Sequence, residues 1–302
     1  MGKFYDAIMG LVVGDALGVP FEFRNRDTFR AMEMFGGGTY NQPPGTWSDD
    51  SSMTLATIES LKRCNCVDLI DLMHNFKNWY LHKQFTPHGS VFDCDFSTRD
   101  AIFKFINGAS VYECGGTSEH NNGNGALMRI LPMAFYPGSM ADVVKVASLT
   151  HNHAISNTAC CIYVSIALDL ISGRNKHQAI QEGFEMIRRI MDIPDKLRRI
   201  PALDGLQRCE IGSTGFVVDT LEAALWCLLK ADSYADTVLM AVNLGNDTDT
   251  TAAVAGGLAG IVYGIGGKKG IPVHWINQIA KKEEIKALCE AFEARFCSDQ
   301  GE

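Results

Sequence analysis

The stretch LGNDTDTTAAVAGGLAGIVYG, residues 244–264, decides the fold. Its second half is rich in Ala and Gly, is apolar on every side, and offers no polar stripe to solvent. A helix of this composition is stable only when it is buried among other elements. We expect Gly256, Gly257 and Gly260 to let neighbouring helices approach closely, because glycine has no side chain. The stretch therefore predicts a central, buried helix.

Helical periodicity also dominates the rest of the chain. Apolar residues recur at three- and four-residue spacing in residues 51–64, 67–83, 140–151, 157–172, 176–192, 217–231, 234–245 and 282–297. Between them lie clusters of Gly, Pro, Asn and Asp that are typical of loops. No alternating strand of useful length is visible. We predict one compact all-α domain over residues 1–302.

Composition excludes several classes of protein. The chain has 302 residues, with 27 Lys+Arg against 35 Asp+Glu and a formal net charge of −8. Nucleic-acid binding relies on clustered cations, so we do not expect nucleic acid as a general partner. Hydrophobic residues make up 46% and charged residues 21%, which is ordinary for a packed protein and too apolar for a disordered one.

The ten cysteines form no Cys-x-x-Cys pair, so their spacing supports neither a zinc ribbon nor a thioredoxin-like motif. Cys160 and Cys161 lie in an apolar periodic run, where a thiol packs as a small hydrophobe. We expect buried, reduced thiols and a reducing compartment.

The N-terminal segment offers no targeting signal. Asp6 and Asp15 bound a short apolar stretch, and no basic region with a cleavage site accompanies it. We find no run of the roughly 18 apolar residues that a membrane span needs. The expectation is a cytoplasmic protein with no membrane partner, and a monomer. The last residues, SDQGE at 298–302, are expected to be a frayed tail.

Two acidic motifs carry the chemistry, and the first is WSDDSSM at residues 47–53. It precedes an amphipathic helix, so Ser48, Asp49 or Asp50 could cap that helix and complement its dipole. One such residue would satisfy the helix. Two adjacent acids beside a hydroxyl also form the oxygen donor set that Mg²⁺ prefers. Capping and metal binding both remain open for this motif.

The second motif is GNDTDTT at residues 245–251, where Asp247 and Asp249 flank Thr248. In an extended loop, residues two apart point the same way, so the two carboxylates could converge, with Thr250 adding a hydroxyl at the helix start. The helix that follows is predicted to be buried, and an unpaired pair of carboxylates there would be costly. A bound cation is therefore favoured over capping.

Other candidate residues carry weaker signals. The turns NNGNG at 121–125 and GSTGF at 212–216 each precede a helical segment, where free backbone N–H groups suit phosphate, but neither matches a standard phosphate-binding pattern. His151 and His153 are too closely spaced for zinc ligands on one helix face, and such residues are usually caps or core groups. Taken alone, Glu22 is an ordinary surface-loop acid.

Six segments follow one another along the chain: GLVVGDALGVPFEF (10–23), GTWSDDSSMTLAT (45–57), NGNGALMRILP (122–132), LTHNHA (149–154), STGFVVDTLEAALW (213–226) and NLGNDTDTTAAVAGGLAG (243–260). In this order they resemble the ADP-ribosylglycohydrolase family. Any one would be weak, but together they span nearly the whole chain. The resemblance implies an orthogonal all-α fold, a binuclear Mg²⁺ or Mn²⁺ centre, and removal of ADP-ribose from modified side chains or related conjugates.

Carried over by position, the resemblance implies roles for individual residues. The implied metal ligands are Ser48, Asp49, Asp50, Asp247, Asp249 and Thr250. The implied catalytic residues are Glu22, Asp50 and Asp249, with Glu22 open as a ligand, a holder of water or a general base. The implied substrate contacts are Asn122, Gly123, Asn124, Gly125, His151, Gly212, Ser213, Thr214, Gly215 and Phe216. Among these, Phe216 would flank adenine, although an ordinary helix N-cap with a core phenylalanine stays open for its loop. His151 would orient a ligand or flank adenine, whereas His153 is expected to be structural.

Three functional hypotheses follow from the resemblance and the acidic motifs. The first is a hydrolase that uses two Mg²⁺ or Mn²⁺ ions to release ADP-ribose from a modified protein or small conjugate. The context of Ser48 is similar to that of arginine-directed members, which favours ADP-ribosyl-arginine over ADP-ribosyl-serine or O-acetyl-ADP-ribose. The second is a non-catalytic ADP-ribose-binding member, and the third is a two-metal phosphohydrolase that would give AMP.

Overall fold

Helices form the described part of the chain, and residues 2–297 contain only isolated β-bridges instead of a sheet. The computed structural model describes those residues, so the predicted frayed tail at 298–302 lies outside it. The helices are α1 (Lys3–Gly18), α2 (Asp49–Cys64), α3 (Leu69–His82), α4 (Phe96–Ile106), α5 (Val111–Cys114), α6 (Met140–Ser148), α7 (Ala154–Ile171), α8 (Lys176–Ile190), α9 (Val217–Lys230), α10 (Tyr234–Val242), α11 (Thr248–Tyr263), α12 (Val273–Ile276) and α13 (Lys282–Phe296). The all-α prediction is confirmed, and the assignment of 1–302 to one domain stays a prediction.

Helix α11 lies at the centre and packs against α1 with almost no space between the backbones. A Cβ atom added to Gly256 would lie 2.3 Å from the carbonyl oxygen of Gly10, and one added to Gly10 would lie 2.4 Å from that of Gly256. A Cβ atom added to Gly260 would lie 2.3 Å from the carbonyl oxygen of Asp6. No side chain fits at these positions, so the predicted central helix with glycine-mediated contacts is confirmed.

Four α-helices of the described residues were not predicted from periodicity: α1, α4 and the single-turn helices α5 and α12. Helix α1 is buried along most of its length, so it has no polar face to reveal a helical period. Helix α4 is short and follows a loop that is rich in polar residues.

The expectation that no segment is long and apolar enough to span a membrane was wrong. By length and composition alone, Lys3–Phe21 and Ala154–Ile171 both qualify among the described residues. In the fold, 94% of the apolar window of the first and 72% of that of the second are buried inside the protein. The core helix of a folded domain has this same composition, and burial accounts for the apolar character of both segments.

All ten cysteines fall within the described part, and every one is free. Cys114, Cys160, Cys161, Cys227 and Cys289 are buried, as predicted for thiols that pack as small hydrophobes. Packing therefore explains half of the cysteines without any disulfide or metal.

Candidate metal centre

The first acidic motif forms the start of α2. Ser48 is the N-cap residue, and its Oγ accepts a hydrogen bond from the backbone N–H of Asp50 at 3.4 Å. The same hydroxyl donates to Oδ2 of Asp50 at 2.9 Å. All three residues of the Ser48-Asp49-Asp50 run are buried. Ser48 therefore caps the helix, and neither Asp49 nor Asp50 is the N-cap residue.

Asp15 of α1 lies behind this helix start and was missed by the sequence analysis. Its carboxylate accepts hydrogen bonds from the N–H of Ser48 at 2.9 Å, the N–H of Ser51 at 3.0 Å and the hydroxyl of Ser51 at 2.5 Å. Burial raises the pKa of Asp15 to about 6, although these hydrogen bonds oppose the increase. Because its oxygens are occupied by these donors, Asp15 fixes the position of the α2 N-terminus.

The second acidic motif forms the start of α11. The helix begins at Thr248, with Asp247 as its N-cap residue and Asp249 in its first turn. The expectation of an extended loop carrying both acids was therefore wrong. Thr250 donates its N–H to Oδ1 of Asp249 at 3.0 Å, and its hydroxyl lies 3.5 Å from Oδ2 of Asp50. The two motifs meet at this contact.

Two clusters of acids result, and they share Asp249. Oxygen atoms of Asp15, Asp50 and Asp249 lie within 4.8 Å of one another, and so do oxygen atoms of Glu22, Asp93 and Asp249. Asp93 lies in the loop before α4 and was not predicted. Of the predicted metal ligands, Asp50 and Asp249 belong to these clusters, while Ser48, Asp49, Asp247 and Thr250 lie beside them.

The acids of the two clusters are held at a high electrostatic cost. Burial raises the pKa of Asp50 and of Asp249 well above the usual range, and neighbouring carboxylates raise both further. Burial, followed by the charges of Asp249 and Asp93, likewise raises the pKa of Glu22. The pKa of Asp93 is raised to about 6, chiefly by burial. Like charges this close oppose one another's ionisation.

Several carboxylate oxygens of the clusters and of the neighbouring Asp247 have no hydrogen-bond partner among the described residues. They are Oε2 of Glu22, Oδ1 of Asp50, Oδ1 of Asp247 and Oδ2 of Asp249, all buried. Buried polar atoms are normally satisfied, and unpaired carboxylate oxygens are costly. A cluster of such oxygens beside the hydroxyls of Ser48 and Thr250 is the donor set of a hard divalent cation. The residues present therefore fit such ions.

The loops at 121–125 and 212–216 pair with each other through their backbones, and the first of them contacts the second acidic motif. Gly123 pairs with Phe216 in an antiparallel bridge, and the N–H of Asn124 donates to the carbonyl of Gly215 at 3.0 Å. The side-chain amide of Asn124 donates to Oδ2 of Asp247 at 2.8 Å. The predicted substrate loops therefore lie next to the predicted metal ligands, although their contacts with substrate stay a prediction.

Other polar groups of these loops hold the loops together. The buried hydroxyl of Ser213 donates to the carbonyl of Leu244 at 3.1 Å. Oδ1 of the buried Asn122 accepts the N–H of Ser156 at 3.2 Å. The hydroxyl of Thr214 donates to Oδ2 of Asp219 at 2.6 Å, and a Cβ on Gly212 would press against the same carboxylate.

Phe216 is half-buried, with the ammonium of Lys196 5.1 Å from its ring centroid. His153 caps α7 by accepting the N–H of Ile155, in keeping with a structural role.

His151 is buried and forms part of a polar chain. The guanidinium of Arg129 donates to Oγ1 of Thr150 at 2.9 Å, and that oxygen lies 2.8 Å from Nδ1 of His151. Nε2 of His151 lies 3.5 Å from Oδ1 of Asp95. A Cβ on Gly125 would lie 2.3 Å from Oδ2 of Asp95 and 2.9 Å from Cε1 of the histidine. Asp95 and His151 therefore leave no room for a side chain at Gly125, the second glycine of the NGNG turn.

Asp95 is the third acid that sequence reasoning missed. Burial raises its pKa, but His151 and hydrogen bonds from Thr98 lower it more, so the net pKa is about 2. Two sequence signals could have revealed the missed acids. Asp93 and Asp95 repeat the two-residue spacing of Asp247 and Asp249. Asp15 is an isolated acid within an apolar segment, where a buried charge needs partners.

Comparisons with known proteins identify the family of this chain. A family model described as ADP-ribosylglycohydrolase matches residues 1–301. An ADP-ribosylarginine hydrolase, Tri1, of Serratia proteamaculans (strain 568) is 33% identical over 299 residues, which covers 96% of this chain and 78% of that protein. The ADP-ribosyl-[dinitrogen reductase] glycohydrolase of Rhodospirillum rubrum is 30% identical over 288 residues, covering 92% and 90%.

A solved structure described as an ADP-ribosylglycohydrolase-related protein complex superposes with a TM-score of 0.82 at 30% identity, covering 97% of both chains. The chain belongs to the ADP-ribosylglycohydrolase family, as its six sequence segments predicted.

Proposed function

We propose that this protein is a metal-dependent hydrolase that releases ADP-ribose from ADP-ribosyl-arginine. The observation that carries the proposal is the pair of acid clusters that share Asp249 and hold unpartnered buried oxygens. Support for the linkage comes from relatives named ADP-ribosylarginine hydrolase, at 33% and 31% identity. The substrate would be a modified protein or a small arginine conjugate. A cytoplasmic location and a monomeric state belong to the same proposal.

Two Mg²⁺ or Mn²⁺ ions would be held by Asp50, Asp247 and Asp249, with Ser48, Asp49 and Thr250 completing the donor set. Bound there, such ions supply positive charge that fixes the hydroxyls of the distal ribose and lowers the pKa of nearby water. Asp249 would serve both ions, because it belongs to both clusters. Asp15 would keep Asp50 in place through its hydrogen bonds to Ser48 and Ser51.

Glu22 would act on the attacking water. Its Oε2 is buried and free of hydrogen bonds, and it lies in the cluster with Asp93 and Asp249. From there Glu22 can hold the water and accept one of its protons, while a C–O bond forms at C1 of the ribose. The C1–N bond to arginine breaks, and the guanidino nitrogen recovers a proton as it leaves. ADP-ribose remains whole in this reaction.

Product analysis tests the proposal. The purified chain is incubated with arginine-modified and serine-modified protein, with Mg²⁺ or with EDTA, beside Asp50→Asn and the exposed control Asp192→Asn. We expect ADP-ribose from the arginine conjugate only, and only with Mg²⁺; Asp50→Asn should abolish release and Asp192→Asn should preserve it. Release of AMP would instead indicate a phosphohydrolase. Tight ADP-ribose binding without release would indicate a binding protein, and release from serine alone would overturn the linkage.

A further inference from the structure

Three aromatic residues form a row of neighbouring rings, and two of them adjoin acids of the cluster formed by Glu22, Asp93 and Asp249 in the chain. The ring of Phe23 meets that of Tyr40 edge-on, with centroids 6.4 Å apart, and Tyr40 lies 4.9 Å from the ring of Phe92. We call Phe23, Tyr40 and Phe92 the aromatic shelf. Their connection to the acids is direct, because Phe23 follows Glu22 in the chain and Phe92 precedes Asp93. In addition, burial and the nearby charges of Asp93 and Glu22 raise the pKa of Tyr40, so its hydroxyl lies close to both acids.

Phe23 is a large apolar residue that is both exposed and in a left-handed backbone conformation. Its side chain is 69% exposed, although it is large and apolar. Its backbone has φ of 62°, a left-handed conformation that bulky side chains rarely adopt. A backbone hydrogen bond of 2.7 Å from its N–H to the carbonyl of Asn246 holds it there. The loop thus fixes an exposed ring beside the acid cluster at a conformational cost.

No cation of the described chain occupies the shelf. The cation–ring contacts within residues 2–297 involve other rings, and the two arginines that follow Phe23 are engaged elsewhere. Arg24 lies over the ring of Phe29 at 5.3 Å. The guanidinium of Arg26 donates to the carbonyls of residues 244, 208 and 211. The shelf is therefore free for a cation that comes with a ligand.

We propose that the aromatic shelf binds the guanidinium group of the substrate arginine and selects this linkage. The inference rests on the proposed function. The guanidino nitrogen is bonded directly to C1 of the ribose, so the guanidinium must lie within a few ångströms of the reacting centre. Phe23 and Phe92 of the shelf adjoin Glu22 and Asp93 of the acid cluster in the chain. Aromatic faces attract guanidinium ions, and the carboxylates of Glu22 and Asp93 beside the rings add complementary charge. A serine linkage presents no cation and would gain nothing there.

The test uses Phe23→Leu, which keeps an apolar side chain at the same left-handed position but removes the π face. Phe23→Trp keeps the π face and serves as the rescue variant. Phe103→Leu is the matched control, because Phe103 is also exposed and also meets a tyrosine, Tyr80, edge-on at 5.6 Å. Free ADP-ribosyl-arginine is the substrate, so that contacts with a larger protein play no part. The Kd of ADP-ribose, which has no guanidinium, is measured for each variant.

We expect Phe23→Leu to raise KM for ADP-ribosyl-arginine by about 2- to 5-fold, the loss that an exposed cation–π contact predicts. The Kd of ADP-ribose should not change, and Phe23→Trp should behave like the unmodified chain. An unchanged KM, or an equal loss of ADP-ribose affinity, would overturn the inference while leaving the proposed function intact. If the unmodified chain releases no ADP-ribose from arginine, the proposed function fails and the inference fails with it.

Discussion

Replacement of Asp249 by Asn should make the metal-free protein more stable while abolishing its response to metal. Asp249 lies within 4.8 Å of acids in both clusters. Two unit charges at that separation repel by about 3.5 kcal/mol at an effective dielectric constant of about 20. Protons shared among the buried acids relieve much of this repulsion. We therefore expect Asp249→Asn to raise the free energy of unfolding in EDTA by about 1–3 kcal/mol.

Thermal unfolding measures both effects. At roughly 2 °C per kcal/mol for a chain of this size, the melting temperature of the variant in EDTA should rise by about 2–6 °C. Mg²⁺ at about 100 times its Kd should stabilise the unmodified chain by about 2.7 kcal/mol, or roughly 5 °C, for each ion bound, and the variant hardly at all. Asp192→Asn, an exposed acid outside the clusters, is the control. A variant that is less stable in EDTA, or that keeps the full Mg²⁺ shift, would refute the reasoning.

Three further changes have expected outcomes. Burial raises the pKa of Asp6 to about 6. The contribution of this carboxyl group to the free energy of unfolding is therefore complete below about pH 4 and is lost as the pH rises through 6. Asp6→Asn should raise the melting temperature at pH 8 relative to the unmodified chain, with a smaller or opposite difference at pH 4. Gly125→Ala would place a methyl group 2.3 Å from Asp95 and should lower activity and stability, whereas Gly205→Ala meets nothing within 4 Å and should not. Thr150→Val would remove one of the two acceptors of Nη2 of the buried Arg129, leaving only the carbonyl of Val146, and denaturant unfolding should show a loss of about 1–3 kcal/mol.

Local patterns predicted most of the fold. Amphipathic periodicity located the long helices with one polar face, and the glycines of residues 244–264 identified the central helix. Helix α1 was missed because it is buried along most of its length, which removes the contrast between faces on which periodicity depends. Its length and composition resemble those of a membrane span, and only the packed neighbours of the helix distinguish the two cases.

The candidate site was predicted where its residues lie close together in sequence. Asp50 and Asp249 stand in dense acidic motifs, and both motifs mark helix starts. Asp15 and Asp93 were missed because the residues that they contact in the site are distant from them in sequence. Asp15 contacts Ser51 across 36 residues, and Asp93 meets Glu22 and Asp249 only after folding. Local spacing contains no information about such pairings.

Counting bound Mn²⁺ tests the central claim, that two cations share Asp249. The chain is stripped with EDTA and titrated with Mn²⁺, while binding is followed by electron paramagnetic resonance and ADP-ribose release is measured in the same samples. We predict two ions per chain, with release reaching its maximum as the second ion binds, and a loss of both ions and turnover in Asp249→Asn. One ion per chain, or full release from the metal-free protein, would contradict the account.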